Sequence, residues 1–384
     1  MQWQGLPLPK QKGIKFIFFI FFIFFYIFAF LFFITMRRLP IYFLIDVSES
    51  MVGEPIEQVQ DGMATIIKEL RTDPYALETV WTSVIAFAGQ AKTIAPLQEV
   101  ISFYPPKFPI GSGTSLCAGL GHLMYELKNN IVQTTTEQKG DWKPIVFLFT
   151  DGVPTDSPSN MQAVIAEWKQ KWQRSANMVV VSFGKNTDAG ILGQLTENLL
   201  RFDNADANAY KNFFKWVTSS IKTSSISVEN NSTGFELARL DDSVTKIDLS
   251  KERQHPAIDD NFVVLAAKCQ NTKQPYLIKY RKFVFENSIG DIAFEYRLVG
   301  GFKVDNSYFE MSDENAGELK ISTTQLKGAP TCPCCGNQYG FAYDESCGKI
   351  HCIGTEKTSV CPWCGNKAQY GIGDDGFDVN RTRG

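Results

Sequence analysis

Residues 39–222 predict an α/β fold, a doubly wound and mainly parallel sheet with helices on both faces. Short apolar runs alternate with amphipathic stretches, the runs are rich in β-branched and aromatic residues, and few polar side chains interrupt them. "IYFLID" (41–46), "VWTSVIAF" (80–87), "PIVFLFTD" (144–151) and "MVVVSFG" (178–184) therefore read as central strands covered on both faces. Helical patterns occupy Pro55–Arg71, Leu116–Asn129, Met161–Arg174 and Ala207–Ile221, the last opened by an Asp206 or Asn208 cap. Such a βαβα order builds a parallel sheet. Ligands of these sheets bind beyond the carboxyl ends of the strands.

Polar motifs fall at those ends. The first strand runs into Asp46-x-Ser48-x-Ser50, a later one into Thr150-Asp151-Gly152, and the loop "GSGT" delivers Thr114 at a helix start. Two carboxylates and three hydroxyls suit a hard divalent cation such as Mg²⁺, which takes six oxygens and keeps some waters. Gly111, Gly113 and Gly152 permit the sharp backbone paths of such loops. Taken alone, D-x-S-x-S is equally a strand-ending turn whose side chains bond local backbone. The three motifs in order favour the metal.

These residues resemble the von Willebrand factor type A domains with their metal-ion-dependent adhesion site, which is built from D-x-S-x-S, a distant threonine and the aspartate of a "TDG" segment. The resemblance implies a Rossmann-like sheet and a cation bound directly by Ser48, Ser50 and Thr114. It also implies that Asp46 and Asp151 bind largely through water, and that one position is left for an Asp or Glu of a partner protein.

Enzyme signals are weak. An aspartate after the first strand is where some phosphatases keep a nucleophile, but Ser48 stands where their second aspartate belongs. A metal-dependent hydrolase using the same Mg²⁺ site is the competing reading. Its general base would have to be Asp156, Glu49 or Glu54, and the two glutamates are expected to face solvent. "GSGTSL" lacks the third glycine of a dinucleotide fingerprint, and neither G-x-S-x-G nor a P-loop occurs. His122 reads as a packed or surface residue of its helix, His255 as a loop residue and Cys117 as a small helix-core side chain.

From residue 223 the Ser/Thr/Asn-rich stretch reads as a linker to 244. A β-rich unit with antiparallel pairing follows over 245–330, in "NFVVLAAKC", "PYLIKYRKFVF", "IAFEYRLVGGFKV" and "ELKIST". Cys269 is expected to pack within it. The glycosylation-like triplets at Asn230, Asn231 and Asn380 mean little without evidence of secretion. Residues 331–372 hold two C-P-x-C-G units, Cys332–Cys335 and Cys361–Cys364, a zinc-ribbon pattern of paired thiolates on tight turns. With Cys334, Cys347, His351 and Cys352 they offer eight soft ligands, enough for two zinc ions. Spacing does not settle the partition, and a single ribbon with spare thiols stays open. Such clustering points to metal before disulfides. Residues 373–384 read as a flexible tail.

This tail resembles the cysteine-rich metal-binding domain that follows the A-type domain in proteins like TerY of bacterial tellurite-resistance systems, which carries seven cysteines and one histidine. "MRRLPIYFLIDVSESM" also looks like the start of TerY-type proteins. The resemblance implies a tellurite- or stress-response assembly with a protein kinase and a metal-dependent phosphatase as partners.

A net charge of −3, from 38 basic and 41 acidic side chains spread evenly, leaves no electrostatic footprint for nucleic acid. Residues 1–35 contain "FIFFIFFIFFYIFAFLFFI" (16–34), long enough to span a bilayer as a helix. Lys10, Lys12 and Lys15 before it and Arg37 and Arg38 after it leave the orientation undecided, and no small-residue cleavage site marks a signal peptide. Its near two-letter composition also fits translation of an AT-rich stretch upstream of a true start at Met36. The two readings differ in localisation: cytoplasmic from Met36, membrane-anchored with the soluble part in the cytoplasm otherwise.

Overall fold

Strand β1 (Leu39–Asp46) carries no charge until its last residue and is buried along its whole length. Its side chains alternate between two cores. Leu39, Ile41, Phe43 and Ile45 enter one, and Tyr42 and Leu44 the other. A strand covered in this way belongs at the centre of a sheet. The computed structural model describes residues 37–136, 139–183, 188–202, 207–229, 237–239, 244–247, 260–286, 290–313, 319–356, 358–371 and 376–382. The apolar segment of residues 1–35, Met36, Asp206 and His255 lie outside them.

Around β1 stand β2 (Val80–Phe87), β3 (Ala91–Glu99), β4 (Ile145–Thr150), β5 (Asn177–Phe183), β6 (Leu199–Phe202) and β7 (Val244–Lys246), in the order β3-β2-β1-β4-β5-β6-β7. β2, β1, β4, β5 and β6 run parallel, and the edges β3 and β7 are antiparallel. The expected fold class is therefore present, with helices on both faces. Helices α1 (Glu54–Leu70), α2 (Pro74–Thr79), α3 (Leu116–Asn130), α4 (Pro158–Lys171), α5 (Ala189–Leu192) and α6 (Ala207–Glu229) connect the strands. Val59, Met63, Ile66, Ile67 and Leu70 place α1 on one core with Phe213, Phe214 and Val217 of α6. Leu116, Leu120, Leu123 and Leu127 of α3 cover the other face with Met161, Ile165 and Trp168 of α4. Asp73, Ser115 and Ser157 cap α2, α3 and α4 by accepting from Ala76, Ala118 and Asn160 amides.

Several expectations need correcting. The polar stretch taken as a linker over 223–244 is helical to Glu229, and Val244–Lys246 pairs with β6 rather than lying between domains. Its first serines are compatible with the helix because Ser224 and Ser225 are buried there, and Ser225 Oγ donates to Lys222 O. β3 reads as no strand in the sequence because it is an edge with mixed exposure.

The C-terminal strands are β8 (Phe262–Lys268), β9 (Pro275–Glu286), β10 (Ile292–Lys303), β11 (Leu319–Ser322), β12 (Leu326–Lys327), β13 (Tyr339–Asp344), β14 (Lys349–Ile353), β15 (Thr358–Val360), β16 (Lys367–Gln369) and β17 (Asp378–Arg381), with helix α7 (Ser307–Met311) after β10. Six form one sheet, β12-β10-β9-β8-β14-β13. The β-rich unit and the cysteine-rich segment, expected as separate units, thus share a sheet through parallel pairing of β14 with β8. The expected flexible tail supplies β17, which pairs with β11. One face of the large sheet buries Val263, Leu265, Tyr276, Ile278 and Tyr280 with Cys332 and Cys352. The other buries Val264 and Leu277 with Val304, Tyr308 and Val52 of the first unit.

Candidate metal centres

Because β1 and β4 are adjacent and parallel, both end on the same edge of the sheet and bring their polar termini together. Asp46 is fully buried. Its Oδ1 accepts from Ser48 N at 2.9 Å and its Oδ2 from Thr150 Oγ1 at 2.6 Å. Ser48 and Ser50 lie with hydroxyls 3.0 Å apart, and Ser50 Oγ donates to Asp151 Oδ1 at 2.8 Å. Thr114 joins them from the loop before α3, held by Thr155 Oγ1, which accepts from Thr114 N, and by Thr155 N, which donates to Thr114 O. A Cβ added to Gly152 would lie 3.3 Å from Thr114 Oγ1 and 3.9 Å from Asp46 Oδ2. The absent side chain leaves a cradle between these oxygens. Burial pushes the Asp46 carboxyl up to about 6 against hydrogen bonds from Thr150 and Ser48. A carboxylate so deprived of water gains from a nearby cation, and the all-oxygen donor set fits a hard ion. All five residues expected at the cation site are brought together.

Glu49, expected in solvent, is instead fully buried, and burial pushes its carboxyl up to about 7. Tyr308 OH donates to its Oε1 at 2.6 Å and Gly113 N to its Oε2 at 3.3 Å. Asp156 accepts from Ser115 Oγ at 2.6 Å and from Cys117 N at 3.1 Å, which fixes the first turn of α3. His122 contacts Thr93 Oγ1 at 2.8 Å on the flank of the sheet.

In the C-terminal sheet region, Cys269, Cys332, Cys335 and Cys352 place their sulfurs within 4.8 Å of one another, and Cys347, Cys361, Cys364 and Asp344 do the same with three sulfurs and a carboxylate. Tetrahedral zinc with Zn–S of about 2.3 Å requires sulfurs about 3.8 Å apart. The Cys335–Cys352, Cys269–Cys352 and Cys347–Cys361 separations are 3.7, 3.9 and 3.8 Å. Gln270 N donates to Cys352 Sγ and Thr272 N to Cys269 Sγ, as amides around a bound thiolate do. Burial raises the Cys269 thiol, but hydrogen bonds from Thr272 and Asn271 and the contact with Cys335 outweigh it and bring it down to about 7. The Asp344 carboxyl is raised by burial and lowered further by Cys361, Ser346 and Cys364, ending below its ordinary value.

Residues 41–216 match the family model of the von Willebrand factor type A domain, and residues 259–384 that of the TerY-C metal binding domain. The chain carries a von Willebrand factor type A domain followed by a TerY-C domain. It is thus a metal-binding, protein-interaction module. Solved structures similar to it include a von Willebrand factor type A protein from Catenulispora acidiphila (14% identity, 49% of this chain and 43% of that chain, TM-score 0.35). The PilB minor pilin from Streptococcus sanguinis is another (13% identity, 49% and 62%, TM-score 0.35). Proximal thread matrix protein 1 from the mussel byssus, in a structure with a zinc occupied MIDAS motif, is a third (16% identity, 49% and 48%, TM-score 0.34). In each case the match spans less than two thirds of the similar protein.

In the TerY-C domain the eight-ligand set read from sequence changes at two positions. Cys334 and His351 stand outside both groups, and Cys269 and Asp344 stand inside them. Cys334, the third residue of its C-P-x-C-G turn, is half-buried against the sheet core but does not join the group that the first and fourth residues of the turn enter. His351 neighbours Cys352 on β14, and successive strand residues face opposite ways. Its Nδ1 lies 2.9 Å from Cys352 O and its Nε2 2.8 Å from Tyr370 OH, which is itself 3.5 Å from Asp344 Oδ2. Cys269 lies 63 residues before Cys332 with no cysteine partner nearby in sequence, so no spacing signal reveals it. Asp344 sits three residues before Cys347, a carboxylate that a search for soft ligands passes over.

Proposed function

We propose that the chain is a non-enzymatic protein-binding module whose A domain holds Mg²⁺ and offers it to an acidic side chain of a partner. Ser48, Ser50 and Thr114 would coordinate directly and Asp46 and Asp151 largely through water, leaving a position for the partner's Asp or Glu. The observation that carries this reading is the convergence of three separate loops on the cradle at Gly152, where three of the five oxygen-bearing side chains are neutral. An ion with few direct anionic ligands stays electrophilic and gains from an incoming carboxylate.

For the TerY-C domain the proposal is two zinc ions, one on Cys269, Cys332, Cys335 and Cys352 and one on Asp344, Cys347, Cys361 and Cys364, serving structure or docking. Hydrolysis at the Mg²⁺ site would need a free base beside the ion. Asp156 has both oxygens committed to α3, Glu49 is committed to Tyr308 and Gly113, and Glu54 is exposed on α1. On the resemblance to TerY-type proteins, the partners would be a protein kinase and a metal-dependent phosphatase in a tellurite- or stress-response assembly. A cytoplasmic setting is part of the same proposal; among the described residues no helix is long and apolar enough to cross a membrane.

Thr114→Ala tests the module. It should abolish Mg²⁺-dependent retention of a partner and leave the fold intact by circular dichroism. Phosphatase or phosphodiesterase turnover that is present in the wild type and lost in Thr114→Ala would establish the hydrolase instead.

A further inference from the structure

The serines of the cation loop sit on a tight turn closed within the A domain by Met51 N to Ser48 O and Val52 N to Glu49 O, and the same turn is also held from outside. Lys279 of β9 is buried, and its ammonium donates to Ser50 O at 2.5 Å and to Val52 O at 3.0 Å. These carbonyls belong to the last serine of D-x-S-x-S and to the residue that leads into α1. Tyr308 of α7 donates to Glu49 Oε1, while Glu49 Oε2 accepts from Gly113 N, next to Thr114. One glutamate thereby ties the two loops that supply Ser48, Ser50 and Thr114. The last residue of α7 and the one after it continue the contact: Gln90 N donates to Met311 O at 3.0 Å and Ser112 N to Ser312 Oγ at 2.9 Å. A Cβ on Gly89 would come within 2.1 Å of Asp313 N, so the two backbones touch there.

We propose that the TerY-C domain is the positioning element of the A-domain cation site, with Lys279 and Tyr308 as the positioning residues. This rests on the cation-site reading given above. A buried ammonium is costly to leave without partners, and charge-assisted hydrogen bonds are the stronger kind, so Lys279 fixes the two carbonyls it reaches. With the backbone of Ser50 fixed, its hydroxyl stays directed to Asp151 and Ser48. The same sheet carries the Cys332 and Cys352 core on its opposite face, so the integrity of that core supports the clamp. By linkage, whatever the TerY-C domain contributes to ion binding the ion returns to the interface between the domains.

The experiment measures Mn²⁺ binding to the full chain by electron paramagnetic resonance, with Thr114→Ala as the reference for a lost site. Lys279→Met should weaken Mn²⁺ binding by about tenfold, the scale of a lost hydrogen bond to a charged group. Tyr308→Phe, which removes a single oxygen, should weaken it by a smaller factor. In both variants, hydrogen exchange should rise in residues 47–53 and 111–114 while the central strands keep their protection. If Lys279→Met does not fold, Tyr308→Phe decides alone. Unchanged Mn²⁺ affinity in the folded variants overturns the positioning role and leaves the cation site standing. Wild-type chain that binds no Mn²⁺ in a Thr114-dependent way removes the cation site itself, and the positioning role with it.

Discussion

Substituting Cys269 by serine separates what the fold decides from what cysteine spacing implies. Cys269 is fully buried, and its sulfur lies 3.9 Å from that of Cys352, close to the edge of a zinc tetrahedron. Serine keeps the volume but offers a hydroxyl that stays protonated at neutral pH, so the site drops from four anionic ligands to three. Structural zinc contributes roughly 10–16 kcal/mol of binding free energy in small zinc-binding units. Shared over four ligands, the loss of one removes about 2.5–4 kcal/mol, or about two to three decades of zinc affinity. The assay is zinc per chain by mass spectrometry after dialysis against a moderate chelator, together with thermal unfolding. Wild type and Cys334→Ser should retain about two zinc ions, and Cys269→Ser about one, with an earlier transition of the TerY-C domain. Two zinc ions retained by Cys269→Ser, or one lost from Cys334→Ser, would refute the ligand partition and favour the eight-ligand set read from the cysteine-rich run.

Gly152→Val fills the cradle 3.3 Å from Thr114 Oγ1 and should weaken Mn²⁺ binding at least about tenfold with little change in the unfolding midpoint, as calorimetry on the two proteins will show. Gly62→Ala would gain helix propensity, but its Cβ would fall 2.1 Å from the Phe214 ring where α1 crosses α6. Overpacking should dominate and destabilise the A domain by about 1–3 kcal/mol, read from its urea or thermal midpoint.

Legibility followed the range of the forces involved. The alternating apolar runs placed β1, β2, β4 and β5 because strands buried on both faces need side chains that can all be buried, a property local to each run. Edge strands β3 and β7 were invisible, since an edge tolerates polar residues and short length. The end of α6 was misread because Ser224 and Ser225 look like linker residues until they are seen to be buried, with Ser225 bonded to Lys222 O. The convergence of the five oxygen-bearing residues proposed for the cation site was legible, as each sits in a short motif at the end of an element that is itself legible. Glu49 was not, because its burial is imposed by Tyr308, a residue 259 positions away.

The sequence by itself determined the α/β class of the first domain, the set of oxygen-bearing side chains that meet at one edge of its sheet, and the presence of a cysteine-rich metal-binding domain. Those features are written in local periodicity and in motifs whose members are near neighbours. Only the tertiary structure decided which four groups meet at each soft-ligand cluster, because Cys269 and Asp344 reach their partners through the pairing of β8 with β14 and of β13 with β14. It also decided that the two metal modules touch, through Lys279 and Tyr308, since a contact between domains depends on surfaces that exist only after each has folded.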